Sequence, residues 1–340
     1  MQNLTIATRR WPAALGLVAG LALAFGACGS SDSGSDGDTA GGGGSAAGKK
    51  VVYSTFGAQI PFFNRIGEGA KAQATVRRLD FDISTSEIDP GKQIDSIDNA
   101  VAQQPDGLIV SPIDGSALVP TIKGAVEDGV PVILLADGLS EDVGQLSFVG
   151  SDFAEIGRLK ATYIADRLGD GGTVAMVNGT RGMSFVEEQG EAAREVFEER
   201  GIEIVDDVYT KAITPDEGLT ATQNILTRHS DVGAIYYSGD DGALGGIRAI
   251  AARNIAPGKI VVVGTDANEG ALAAVRAGTM ALTVSQCAYE QGGIAIDVMA
   301  DYLETGKKPD RRIFTPVIEI DTETIDRVMS GAAWERCENH

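Results

Sequence analysis

The chain has 340 residues, room for two domains of ordinary size, and 43% of them are apolar, ample for a buried core in each. A formal charge of -20 and a pI near 4.5 leave no basic stripe to displace phosphate counterions, which excludes a nucleic-acid partner. Acidity otherwise speaks to solubility.

Residues 1–28 read as a targeting segment: Arg9 and Arg10 form a basic n-region, Trp11 to Ala27 is uncharged and mostly apolar, and Phe25-Gly26-Ala27-Cys28 ends it. That ending resembles a bacterial lipoprotein signal, in which the cysteine becomes the lipidated first residue, with Phe25 in place of the usual leucine. An uncleaved anchor is the alternative, although the apolar run is marginal for a membrane span. Either way the rest is exported. Residues 29–49, rich in Ser, Asp and Gly, read as a flexible tether that cannot bury enough surface to fold. With Cys28 consumed by lipid, Cys287 and Cys337 remain as an even pair in an oxidising compartment, where a disulfide is permitted.

Val51 to Ala74 reads as a short β-branched strand, a turn rich in Ser, Thr and Gly, and a helix opened by Pro61, which loses nothing at a first-turn position. Phe62 and Phe63 follow that proline. Neighbours in a helix lie about a quarter turn apart, so both rings cannot turn to the same core. At least one is left near the carboxyl end of the strand, where open α/β sheets bind ligands. The plainer alternative is a hydrophobic staple on the first turn. Strand-like runs then recur at 81–84, 107–110, 131–135, 146–149, 173–177, 203–208, 233–237, 260–264, 281–285 and 313–319, most of them separated by helical patterns such as Ala154 to Leu168 and Phe185 to Arg200. The alternation predicts two similar doubly wound α/β domains with parallel sheets. Several strands end in small or acidic residues: Ser111, Ala136-Asp137-Gly138, Ser238-Gly239-Asp240 and Gly264-Thr265-Asp266. Crossings between the domains are expected at Ser151-Asp152, at Ser285-Gln286-Cys287 and around Arg312, and three crossings make a hinge.

Val51 to Ala74, QPDGLIVSP, VPVILLAD, the ALGGIRAI helix after Gly239-Asp240, VVVGTDANEGALAAVRAG and LTVSQ, in that order and spacing, resemble the periplasmic sugar-binding proteins of the ribose/galactose type. The likeness covers residues 50 to 320 and extends to the effector domains of the lactose-repressor family, which share the fold. It implies a type I periplasmic binding protein: a first lobe of 50–151 plus 287–312, a second of 152–286 plus 313–340, and a ligand clamped where they close. By the same resemblance Phe62 and Phe63 pack on a sugar ring, Asp137 and Asp266 accept hydrogen bonds from its hydroxyls, and Gln286 is an amide at the hinge strand. The ribose binders place arginines where this chain has Gly138 and Gln189, an asparagine at Gly239 and an aromatic near Ile213. The implied pocket is therefore acceptor-rich, with Gln189 offering a donor and an acceptor in place of one arginine.

Each polar candidate has a structural alternative. Asp240 and Asp266 precede helices and serve equally as caps, while Ser111 either touches ligand or closes its turn. Two histidines, His229 and His340, and the absence of HxxxH, CxxC and GxSxG patterns give no support to catalysis or a metal site, and no GxGxxG follows the first strand to hold a nucleotide cofactor. The expectation is a monomeric, exported protein, lipid-anchored at the outer face of the cytoplasmic membrane or in the periplasm. It delivers a small neutral polyhydroxylated ligand to ABC permease subunits; the alternative is a ligand-sensing partner of a receptor or kinase. A repressor needs a helix-turn-helix before residue 50, where the signal and tether stand.

Overall fold

The computed structural model describes residues 45–169, 171–330 and 337. The signal, Cys28 and most of the tether lie outside them. The last tether residues, by contrast, belong to the folded body. Ala46 is fully buried, Gly48 N–H donates to Arg78 O at 2.8 Å, and Lys49 Nζ pairs with Asp106 Oδ1 at 2.9 Å. The tether expected over 29–49 thus stops short of residue 45, because Ala46 fills a gap that a solvated linker would leave open.

The chain runs β1 (Lys50–Thr55), α1 (Pro61–Arg77), β2 (Asp80–Thr85), α2 (Pro90–Ala102), β3 (Gly107–Val110), α3 (Val119–Glu127), β4 (Val132–Leu135) and β5 (Ser147–Ser151). It then crosses to α4 (Phe153–Leu168), β6 (Thr173–Asn178), α5 (Ser184–Glu199), β7 (Glu203–Tyr209), α6 (Pro215–Arg228), β8 (Ala234–Tyr237), α7 (Asp240–Ala252), β9 (Val261–Thr265), α8 (Glu269–Arg276) and β10 (Leu282–Ser285). It returns through α9 (Ala288–Thr305) and β11 (Arg312–Thr315), and crosses a last time into β12 (Ile318–Asp321) and α10 (Ile325–Ser330). Helix starts follow local rules. Pro61, Pro90 and Pro215 sit in first turns, and Asp89, Asp152, Thr214 and Asn268 cap by accepting a backbone N–H three residues on.

Among the described residues the strands form two six-stranded sheets of matching order, β11-β5-β4-β3-β1-β2 and β12-β10-β9-β8-β6-β7. Their central strands, such as Gly107–Val110 and Val132–Leu135, are buried at every position, as parallel strands covered on both faces must be. All pairings are parallel save β10 with β12, which is antiparallel. One apolar cluster joins the lobes, running from Val52, Leu108 and Leu134 through Phe148 and Phe153 to Met176 and Tyr236.

The run at 313–319 divides into two strands in different sheets. β11 pairs in parallel with β5, Ile313 opposite Val149 and Thr315 opposite Ser151, so residues 313–315 belong to the first lobe. The expected lobe boundary after residue 312 is corrected to Pro316-Val317. Proline has no N–H for a ladder and a fixed φ, so the strand breaks there and restarts on the other sheet.

The crossings are fastened together. Gln291 of α9, fully buried, donates from Nε2 to Ser151 Oγ at 3.1 Å and to Gln286 O at 2.8 Å, tying the first crossing to the second. Cys287 turns the chain into α9 with a left-handed φ of +53° and is disulfide-bonded to Cys337, their Cα atoms 5.7 Å apart. Cys287, Glu290 and Cys337 are close enough to hold a metal, but the two sulfurs bond each other and not a cation.

Helix pairs on the sheet faces meet backbone to backbone. A Cβ at Gly69 of α1 would stand 1.9 Å from Tyr289 O of α9, and one at Gly157 of α4 would stand 2.1 Å from Gln189 O of α5. Gly69→Ala must therefore push α1 off α9, and overpacking of this kind costs about 1–3 kcal/mol. We expect a loss of at least about 2 kcal/mol in a urea titration; an unchanged midpoint would show that the helices are not in contact there.

Candidate functional site

The carboxyl ends of β1, β4, β9 and β10 carry most of the candidate residues. In the first lobe, Phe56 leaves β1 and stacks on Phe63 of α1, with centroids 4.4 Å apart and planes at 59°. Phe62 meets Phe63 edge-on at 5.2 Å and 86°. Phe62 and Phe63 are both half-buried against the first-lobe core, so neither is wholly inward and each keeps an accessible part. Phe56, the third ring, was not among the residues picked out from the sequence. An aromatic directly after a strand and before a helix-opening proline is the signal that would have found it.

Two strand spacings away, about 10 Å across the sheet, β4 is followed by Ala136, whose left-handed φ of +67° throws Asp137 out of the strand direction. Asp137 is 8% exposed. Its Oδ1 accepts from Gly138 N–H at 3.0 Å and from the Ser184 hydroxyl, the first residue of α5 in the opposite lobe. The lobes thus touch through a side chain expected to bind ligand. Burial pushes the Asp137 carboxyl up to about 6, against the pull of the Ser184 and Gly138 hydrogen bonds, and Glu188 adds to the rise.

The second lobe contributes a connected polar group. Asp266 follows β9 with a φ of +113°, is half-buried, and accepts from Gln286 Nε2 at 2.7 Å through Oδ1. Burial raises it to about 7, opposed by the Gln286 hydrogen bond and by Lys160. Gln189 of α5 is buried, its Oε1 accepting from Lys160 Nζ at 2.6 Å and from Tyr236 OH at 3.1 Å. Lys160, on α4 three residues past Gly157, also donates to Thr265 Oγ1 at 2.7 Å and Tyr237 O at 3.0 Å. Burial pulls its ammonium down to about 7, while the Asp240 and Asp266 carboxylates pull it back up. Sequence reasoning missed Lys160, because a lysine in an amphipathic helix reads as solvent-facing.

Two candidates face inward. Ser111 is fully buried, shares a hydrogen bond with Tyr53 OH at 2.9 Å and donates to Leu135 O at 2.8 Å, so its hydroxyl pins β3 to β1 and β4 and has no lone role in a cleft. Asp240 is likewise enclosed at the first turn of α7. Thr283 Oγ1 donates to its two oxygens at 2.8 and 3.0 Å, and Asn268 N–H donates to Oδ2 at 3.0 Å. It neither caps its own helix nor lines the site. It ties α7 to β10 and to the start of α8, and burial together with Asp266 holds its carboxyl well above the usual range.

A cavity of about 410 Å³ is lined by none of Phe56, Phe62, Phe63, Asp137 and Asp266. It opens beside the Asp137–Ser184 contact, between Phe148, Phe153, Phe314, Glu188 and Arg312, on the β5–β11 side of the interface. A small hollow of about 10 Å³ marks the ends of β6 and β8, lined by Asn178, Ile213 and Gly239. The lobes are in direct contact at Asp137 and Ser184, and rotation about a few hinge residues is a general way for such a pair of lobes to part.

The chain matches known proteins over most of its length. The family of the periplasmic binding protein domain is matched by residues 51–308. The ribose import binding protein RbsB of Bacillus subtilis (strain 168) is 30% identical over 263 residues, 77% of this chain and 84% of that protein. The D-allose-binding periplasmic protein of Escherichia coli (strain K12) is 29% identical over 277 residues, 77% of this chain and 86% of that one. Among solved structures, the Caulobacter myo-inositol binding protein bound to myo-inositol superposes with a TM-score of 0.75 at 26% identity, covering 82% of this chain and 94% of that chain. Two matched parallel sheets, three crossings and a family match spanning both lobes lead to one assignment: the chain belongs to the periplasmic binding protein family.

Proposed function

We propose that this protein is the extracytoplasmic solute-binding lipoprotein of an ABC importer, working as a monomer and holding a small sugar or polyol between its lobes by hinge closure. The observation that carries this reading is the Asp137–Ser184 hydrogen bond, a first-lobe carboxylate satisfied by a second-lobe hydroxyl. A sugar hydroxyl offers that carboxylate the same kind of donor. Phe62 and Phe63, each half-buried and backed by Phe56, supply apolar ring surface for the C–H groups of a sugar. Asp266 and Gln286, paired at 2.7 Å, supply the facing polar wall. The binding proteins named above for ribose, allose and myo-inositol support the ligand class, and their names support binding and transport over catalysis.

The mechanism is a shift of populations. Contacts to both lobes exist together only when the lobes are closed, so a ligand that makes them favours the closed form by its differential affinity. Permease subunits read that form through exposed faces of the two lobes. Lipid at Cys28 keeps the protein at the membrane; among the described residues no helix is long and apolar enough to cross it.

Thermal shift against a panel of sugars and polyols is the direct test, since a ligand bound only to the native state raises the melting temperature. Asp137→Ala is expected to weaken binding of the best panel member at least about thirtyfold, or about 2 kcal/mol, with the melting temperature of the ligand-free protein unchanged or raised. An unaltered affinity removes Asp137 from the site. Acid should act in opposite directions on stability and on binding. The folded-state value of Asp137, about 6, lies above the ordinary 3.8, so its stabilisation is full below the ordinary value and is lost as pH rises through the raised one. Acidification from pH about 7 to about 5 therefore stabilises the ligand-free protein at this residue, while the loss of a charged acceptor weakens ligand binding; calorimetry at several pH values that found both quantities moving together would contradict this. Finally, Cys28→Ser should move the protein out of the membrane fraction or leave it uncleaved, and normal anchoring in that variant would refute lipidation.

A further inference from the structure

We propose that Lys160 is a positioning residue of the inter-lobe site: by occupying Gln189 Oε1 it fixes the amide so that Nε2 donates to a hydroxyl oxygen of the ligand. This rests on the reading above that a sugar or polyol binds there. Lys160 is fully buried, and its ammonium has three protons and no lone pair. All its polar partners are acceptors: Gln189 Oε1 at 2.6 Å, Thr265 Oγ1 at 2.7 Å and Tyr237 O at 3.0 Å, with the Tyr236 ring centroid at 4.1 Å. Tyr236 OH donates to the same Oε1 at 3.1 Å. Two donors converging on one atom make that atom the oxygen, since the flipped amide would set N–H against N–H. The backbone contact of α4 with α5, where Gly157 meets Gln189, brings Lys160 to this place.

Gln189 Nε2 is then committed to the other side of the amide, where it is buried and has no partner among the described residues. A second buried atom of the same lobe is in the same condition with the opposite polarity. Asn178 Oδ1, at the carboxyl end of β6, has no donor, while its Nδ2 is spent on Asp207 Oδ1 at 2.6 Å. A Cβ on Gly190, which follows Gln189 in α5, would lie 3.3 Å from Asn178 Oδ1. Buried polar atoms are ordinarily paired, so the unpaired Nε2 donor asks for an acceptor. A hydroxyl accepts and donates at once. A ligand hydroxyl oxygen meets the Gln189 Nε2 donor, and an ammonium, which has no lone pair, does not.

Isothermal titration of the full chain with D-ribose, D-allose and myo-inositol tests the proposal through Gln189→Glu, Lys160→Met and the double variant. Gln189→Glu keeps an oxygen toward Lys160 and replaces the donor by an acceptor. It should melt at or above the wild-type temperature yet bind the best of the three probes at least tenfold more weakly. Lys160→Met frees the amide and should weaken binding at least fivefold, and the double variant should bind no worse than Gln189→Glu alone. If Lys160 merely supports the fold, Lys160→Met lowers the melting temperature with affinity intact and Gln189→Glu binds like wild type, which overturns the proposal. Should Lys160→Met fail to fold, the side-chain ¹⁵N–¹H pair of Gln189, assigned by its loss in Gln189→Leu, decides: it must shift when the bound probe is added, and an unmoved pair overturns the donor role. Wild-type protein that takes none of the three probes defeats the functional reading and this one with it, whereas wild-type binding that Gln189→Glu leaves untouched defeats this one alone.

Discussion

The buried amide of Gln291 is the constraint on which the geometry of the site depends. One Nε2 group donates both to Ser151, where the chain leaves the first lobe, and to the carbonyl of Gln286, where it comes back. Because α9, which carries Gln291, packs on α1 with glycine backbones in contact, the strap is anchored in the body of the first lobe. Gln286 in turn holds Asp266, so a hinge segment and a proposed ligand contact are one hydrogen-bonded unit. Ser151, Gln286 and Pro316 mark the three crossings, and a hinge needs only a few residues to absorb a large change in φ and ψ.

The two walls of the interface are built from different physics. The first lobe offers three aromatic rings and one carboxylate, and its cost is the burial of Asp137, expressed in the raised affinity of that group for a proton. The second lobe buries Lys160 with Asp240 and Asp266 nearby, a grouping in which desolvation opposes attraction. Charges of both signs are enclosed together, so that removing one alone leaves the others without compensation. Such an arrangement contributes fixed directions for hydrogen bonds more than it contributes stability, and fixed directions are what a polar cleft needs to distinguish one ligand from another.

Much of the fold was legible along the chain. Strand ends, Pro-opened helices, the first two crossings and the similarity of the two halves all follow from local pattern, because period, breakers and caps act over a few residues. Asp137, Asp266, Gln286 and the phenylalanines stand at strand ends or the hinge as their spacing implied. Ser111 and Asp240 occupy the same kind of place in sequence yet are spent on Tyr53, Leu135, Thr283 and Asn268. Nothing local separates an aspartate that reaches into a cleft from one that turns beneath a sheet, since the difference lies in partners more than 25 residues away.

By itself the amino-acid order determined the α/β class, the two doubly wound halves and the gathering of small and acidic residues at strand ends, for these are consequences of periodicity and turn chemistry within short windows. Only the tertiary structure decided that Pro316 and not Arg312 is the last crossing, that Lys160 lies in the interior, and that its ammonium orients Gln189. Those outcomes depend on which backbones approach closely enough to exclude water, as α4 and α5 do at Gly157, and a contact between residues 29 positions apart has no signature in either neighbourhood alone.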